Sequence, residues 1–290
     1  YRGAATMMCV GDDAPERAQA VAKAILARCG RLIREAGFPD FAEASVETLG
    51  AEASYGAQSQ ARATREVVLK IGVRHPSKEA LQIFAREIYP AATAMAQSLT
   101  GFAGGRPEPQ PVIRLFSFLI DKAELQPTVS FSETRLPMPA HIPAAATSAP
   151  SPASANSDAP EAPTGETVSV PLVALAFGRS GDKGDIANIG VIARDAAFLP
   201  WLRRALTPEA VGQHFAHHVQ GKVERFDWPG LRGFNLVMHR ALGGGGIASL
   251  RNDPQGKAMA QVLMSLPVPV PAVWLASGGP LHGSKTMDDA

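Results

Sequence analysis

With 290 residues, 46% of them hydrophobic, the chain has apolar mass for two ordinary cores. A formal charge of +1 and 6% aromatic residues supply neither the basic field nor the stacking platforms that nucleic acid demands. No stretch is apolar for long enough to span a bilayer and none has the order of a signal peptide, so a cytoplasmic protein without a membrane partner is expected.

Tyr1 leads almost at once into an apolar stretch, with no initiator Met, so an upstream portion is expected, one that would supply part or all of an active site. Residues 7–10 read as a strand. Asp12 or Asp13 then caps a helix running to about residue 36, with Pro15 and Glu16 in its first turn and Val21, Ile25, Cys29, Leu32 and Ala36 in one stripe. Gly37 closes it in a left-handed cap. Cys9 in the strand and Cys29 on the helix read as buried thiols, not as a disulfide framework. Residues 44–49 and 65–73 read as strands, the second with Val67, Leu69, Ile71 and Val73 on one face. Ser77 caps a second helix to about residue 98, whose core stripe includes Leu81, Phe84 and Ile88, and 112–120 reads as the last strand. The order β-α-β-β-α-β is that of a ferredoxin-like unit. Two features of this half invite a functional reading: the glycine-rich 100–107 with Arg106, as an anion cradle or a structural turn, and His75, as a capping or a catalytic histidine.

From 138 to 165 the composition turns to Ala, Pro, Ser and Thr, which cannot bury enough surface to offset ordering entropy. A disordered linker is expected there, between folded parts at 1–137 and 166–276 and with a flexible tail at 277–290. The class is α+β.

In the second part, 172–177 and 189–193 read as strands flanking a polar loop. Gly181 and Gly184 allow close approach, while Arg179, Ser180, Asp182, Lys183 and Asn188 crowd donors and acceptors together. Such a loop holds an anion or performs acid-base work; alternatively it is a solvated hairpin in which Asp182 and Asp185 make turn hydrogen bonds. Helices follow at 198–206 and 208–217, the second with Thr207 as cap and His214, His217 and His218 near its end. His214 and His218 share a face as a metal pair would, but no carboxylate or cysteine joins them with ligand spacing, and cations at a helix C-terminus are the other reading. Strands at 223–228 and 234–239 lead to Gly243, Gly244, Gly245 and Gly246, four residues too costly to order unless backbone or ligand comes close. Asp253 caps a helix starting at Pro254 with Met259, Val262, Leu263 and Leu266 on its core face. The two glycine loops are expected side by side at one end of a sheet. Arg179, Lys183, Arg251, Lys257 and the helix N-terminus would then converge on an anion.

The motifs RSGDKGDIANIGVIAR at 179–194, GFNLVMHRALGGGG at 233–246 and SLRNDPQGKAMAQ at 249–261 resemble the C-terminal domain of the acyclic terpene utilization (AtuA) family. RHPSKEALQIFAREIYPAATAM at 74–95 and GFAGGRPEPQPVIRLFSFLI at 101–120 resemble the end of its large N-terminal domain. The resemblance implies a second ferredoxin-like sandwich and a longer natural chain whose upstream domain is missing here. It implies bacterial catabolism of citronellol, geraniol or related branched acids through coenzyme A thioesters, including lysis of a 3-hydroxy-3-isohexenylglutaryl-CoA-type intermediate to acetate and a shorter unsaturated thioester. Asp182 with Lys183 would then be catalytic. Arg179, Ser180, Gly181, Gly184, Asn188, Gly244, Gly245, Gly246, Arg251 and Lys257 would bind the acyl thioester, with no resident cofactor evident, the need for a divalent metal open, and a homo-oligomer as an option. The alternative is a non-catalytic binding or assembly domain.

Overall fold

A computed structural model describes residues 1–102, 104–137 and 165–287. The expected linker at 138–165 lies outside the described residues except for Gly165. The chain divides into two bodies, one formed by 1–114 with 160–290 and the other by 115–159.

In the first body, β1 (Arg2–Val10), α1 (Ala14–Glu35), β2 (Glu43–Leu49), β3 (Glu66–Arg74), α2 (Lys78–Ala94) and β4 (Leu99–Phe102) follow one another. The sheet order is β2-β3-β1-β4 and every pairing is antiparallel, the arrangement of a ferredoxin-like unit. Alternation places Ala5, Met7 and Cys9 of β1 and Val67, Leu69, Ile71 and Val73 of β3 inward. Against them lie Val21, Ile25 and Cys29 of α1 and Leu81, Phe84 and Ile88 of α2. Burial pushes the Cys29 thiol up to about 12, which leaves it inert. Ser77 caps α2 by accepting from the Ala80 N–H.

The last strand is not at 112–120 as expected. The edge beside β1 is taken by Leu99–Phe102, and Gln110 adds a single bridge to Arg2 before the chain leaves the sheet. The apolar run that follows, including Leu115, Phe116 and Phe118, is exposed. It is apolar on both faces, a pattern that suits a strand covered on both sides. In the body 115–159, the described structure includes a 3₁₀ turn at Lys122–Glu124 and a hairpin of β5 (Thr128–Phe131) and β6 (Thr134–Pro137), the hairpin exposed throughout.

The second half of the first body contains β7 (Thr167–Pro171), β8 (Ala176–Lys183), β9 (Ile186–Ala193), α3 (Leu199–Ala205), α4 (Pro208–His214), β10 (Val223–Trp228), β11 (Gly233–Met238), α5 (Met259–Met264) and β12 (Pro267–Pro271). Four strands make an antiparallel sheet in the order β10-β11-β9-β8, while β7 and β12 pair as a ribbon. This order differs from that of the first sheet, because both outer pairs are hairpins. Inward residues Ala187, Ile189, Val191, Phe234, Leu236 and Met238 pack with Leu202, Val211, Val262 and Leu263 of the helices. The other face of the sheet is uncovered, with Phe177 and Phe226 more than half exposed. Two expectations fail here. Residues 179–183 belong to a strand, since Ala176 and Ser180 point inward at period two, and only Gly184-Asp185 turns, with Gly184 at φ +64. Among the described residues of the expected flexible tail, 277–287, the chain is docked: Leu281 is buried in the second core and its N–H bonds the Trp274 carbonyl.

The two sheets interlock through residues 243–252. Lys70 donates to the Leu250 carbonyl at 2.9 Å while paired with Glu47, and the other Glu47 oxygen accepts the Asn252 N–H at 3.0 Å. A side chain at Gly72 would meet Leu250 within 3.1 Å. The glycine at 72 therefore permits the outer face of the first sheet to receive this segment.

Candidate functional site

A cleft of ≈ 530 Å³ opens on the uncovered face of the second sheet, along the edge strand β8. Register builds it in rows. Phe177 faces Ile192, which continues to Gly233 and Trp228; Arg179 faces Gly190; Gly181 faces Asn188. Lys257 comes in from the segment before α5. The cleft thus gathers Arg179, Ser180, Gly181, Asp182, Lys183, Asn188 and Lys257 from the expected set.

Their chemistry differs. Ser180 is 8% exposed; its Oγ donates to the Lys257 carbonyl at 3.1 Å and accepts the Ala260 N–H at 2.9 Å. It therefore fastens the start of α5 to β8 and positions Lys257. Asp182 Oδ1 lies 3.4 Å from Lys257 Nζ, an exposed pair worth little in stability but placing both charges in the cleft. Lys183 Nζ donates to the Asp182 carbonyl at 2.9 Å, so its cation is presented at the strand end and is not neutralised by the neighbouring carboxylate. Asn188 Nδ2 donates to Asn235 Oδ1 at 3.3 Å on the same open face.

The other expected residues lie elsewhere. The two glycine loops do meet, through the Asp185 carboxylate and through backbone. Asp185 Oδ1 accepts the Leu242 and Gly244 N–H groups at 3.1 and 2.9 Å, and its carbonyl accepts the Ala241 N–H at 3.0 Å. A Cβ on Gly245 would sit 2.0 Å from the Gly184 carbonyl oxygen, with φ at +67. Gly244, Gly245 and Gly246 therefore permit a chain crossing and line no part of the cleft. Arg251 is spent on carbonyls of Ala241 and His218, and burial pushes its guanidinium pKa down against the pull of Asp185, Glu47 and Glu43. α5 starts at Met259, not at Pro254. Asp253 instead accepts the N–H groups of Lys257 and Ala258, which shapes the turn that carries Lys257.

The histidines are also committed. His214 Nε2 bonds the Val262 carbonyl, while His217 and His218 both reach the Ser54 carbonyl of the first half. Burial, then His217 and Arg251, push His218 down to about 4. Among the described residues no three His, Cys, Asp or Glu side chains group as a metal site. His75 is buried, with Nδ1 accepting the Ser77 N–H and Nε2 bonding the Pro39 carbonyl. Arg106 lies over Tyr89 at 5.5 Å. A larger cavity of ≈ 650 Å³ at Glu52, Tyr55, Gln58, Gln213 and His214 has no lysine or arginine in its lining.

Trp228, Gly190, Phe177 and Ile192 are cleft residues that the motif reading did not single out. The signal for them was period-two alternation: in β9, Asn188, Gly190 and Ile192 occupy one face and Ala187, Ile189 and Val191 the other.

Residues 1–131 match the model of the family described as acyclic terpene utilisation family protein AtuA, and residues 170–269 match the AtuA ferredoxin-like domain. No curated protein and no solved structure matches the chain. Among the described residues no helix is long and apolar enough to cross a membrane.

Proposed function

Because the chain belongs to the AtuA family, with a role in acyclic terpene utilisation, we propose that the β8 cleft binds the anionic end of a terpene-derived acyl thioester. The observation that carries this reading is the convergence of Arg179, Lys183 and Lys257 around Asp182 and Asn188 in one cavity. Arg179, Lys183 and Lys257 are exposed to water, and together they offer a carboxylate or thioester oxygen several charge-assisted contacts.

The reaction we assign is cleavage of a 3-hydroxy-3-isohexenylglutaryl-CoA-type intermediate. A base takes the proton of the tertiary alcohol, the oxygen becomes a ketone, and the C–C electron pair leaves with the acetate carbon, which is then protonated. Asp182 is assigned as the base because it is the carboxylate in the cleft lining. Lys183 and Arg179 fit the clamp for the departing carboxylate.

Calorimetry with a branched 3-hydroxyglutaryl thioester of coenzyme A tests the binding step. Lys183→Ala and Lys257→Ala should each weaken binding about tenfold, a loss of about 1.4 kcal/mol typical of one charge-assisted contact, with little effect on folding. Equal affinity in wild type and both variants would sink the reading and favour an assembly domain.

A further inference from the structure

Gly190 has no positive φ, so its backbone does not require glycine. Space does. A Cβ at Gly190 would lie 3.0 Å from Trp228 Cη2 and Cζ3, which means that the indole of Trp228 reaches across the sheet face and rests in the room that the missing side chain leaves. Next to it Ile192 and Phe177 are paired in register, and the Arg194 guanidinium stacks over Phe177 at 3.9 Å. Two rows further along the strands stand Gly181 and Asn188, with Lys183 beyond. The cleft therefore has a largely apolar end at Phe177, Ile192 and Trp228, bordered by the Arg194 guanidinium and followed by Arg179 in the Gly190 row, and a polar, cationic end about 13 Å along the strands at the Gly181 row.

Resting on the anion-binding reading above, we infer that this apolar end is a subsite for the hydrocarbon tail of the ligand, and that Trp228, seated on Gly190, determines how strongly a tail is preferred. The occupant is an amphipathic anion. Its charged end meets Arg179, Lys183 and Lys257, and its tail runs towards Trp228 and Ile192, where burial of each methylene strengthens binding. The contact covers the glycine backbone and so steadies the sheet as well as shaping the cleft. Here the indole gives an otherwise flat face a wall.

Affinities of the whole chain for octanoyl-CoA and acetyl-CoA, measured by calorimetry, test the inference. The longer thioester should bind at least about tenfold more tightly in wild type, the equivalent of about two buried methylenes. Trp228→Ala should reduce that ratio to less than about threefold while leaving acetyl-CoA binding within about twofold, which also reports that the sheet remains folded. Trp228→Phe should retain most of the preference, and Ile192→Ser should lower it. Equal affinity for the two thioesters in wild type, or an undiminished preference in Trp228→Ala, overturns the subsite and leaves the cationic end standing. Failure of wild type to bind either simple thioester overturns this inference, and failure to bind the branched 3-hydroxyglutaryl thioester as well overturns the anion reading.

Discussion

Replacing Asp185 by alanine separates an architectural carboxylate from a catalytic one. Its Oδ1 holds two backbone N–H groups, at Leu242 and Gly244, where the glycine run crosses the β8-β9 turn. A hydrogen bond to a charged acceptor contributes about 1.5–3 kcal/mol, and a buried donor left unmatched costs about 1–3 kcal/mol. The Leu242 bond is partly buried and the Gly244 bond exposed, so water replaces the second more readily than the first. The expected loss for Asp185→Ala is about 2–4 kcal/mol. Asp185→Asn keeps an acceptor oxygen for the same donors and should lose about 1 kcal/mol. Urea unfolding followed by far-ultraviolet circular dichroism measures both. Alanine within about 0.5 kcal/mol of wild type, or asparagine as damaging as alanine, would refute the assignment of the carboxylate to the backbone crossing.

The half-buried His218 should make stability depend on pH. Its folded pKa, about 4, lies below the ordinary 6.5, so its contribution is complete above pH 6.5 and is lost as pH falls towards 4, where the unfolded chain binds the extra proton. The full shift corresponds to about 3 kcal/mol, which solvent screening at a half-buried ring reduces to about 1–2 kcal/mol. Thermal unfolding from pH 7.5 to 4 should show this decline, and His218→Gln should flatten it; an identical profile in the variant would remove His218 as its source. Replacing both Phe116 and Phe118 by serine should change stability by less than about 0.5 kcal/mol, since they are 83% and 70% exposed. A loss above about 2 kcal/mol would mean that these rings have an apolar partner in solution.

The first sheet was legible because its strands alternate cleanly and its helices carry local signals, the Ser77 cap on α2 and the Val21, Ile25, Cys29 stripe on α1, whereas the expected cap at Asp12 or Asp13 makes no side-chain capping bond at the helix start. The segment 112–120 was misread because strand propensity does not say whether an edge is available, and Leu99–Phe102 had already taken it. In the second half, Gly181, Asp182 and Gly184 suggested a long loop, yet cross-strand pairing with Ile186–Ala193 prevailed over local turn preference. The charged members of the site were visible as a motif. Trp228 and Gly190 were not, since their contact depends on strands that lie 38 residues apart in sequence. Nor could four glycines show by themselves whether they admit a ligand or a neighbouring backbone; the Gly184 carbonyl decides for backbone.

The crossing at 243–252 also bears on inheritance. Gly72 has to remain small to receive Leu250, Glu47 has to match the Asn252 amide, and Gly245 has to match the Gly184 carbonyl. These demands couple positions in both sheets, so substitutions at one are filtered by the other. The smallest portion that recombination could move intact is the interlocked pair, because either sheet joined to an unrelated partner would keep half of a fitted surface and lose what fits it.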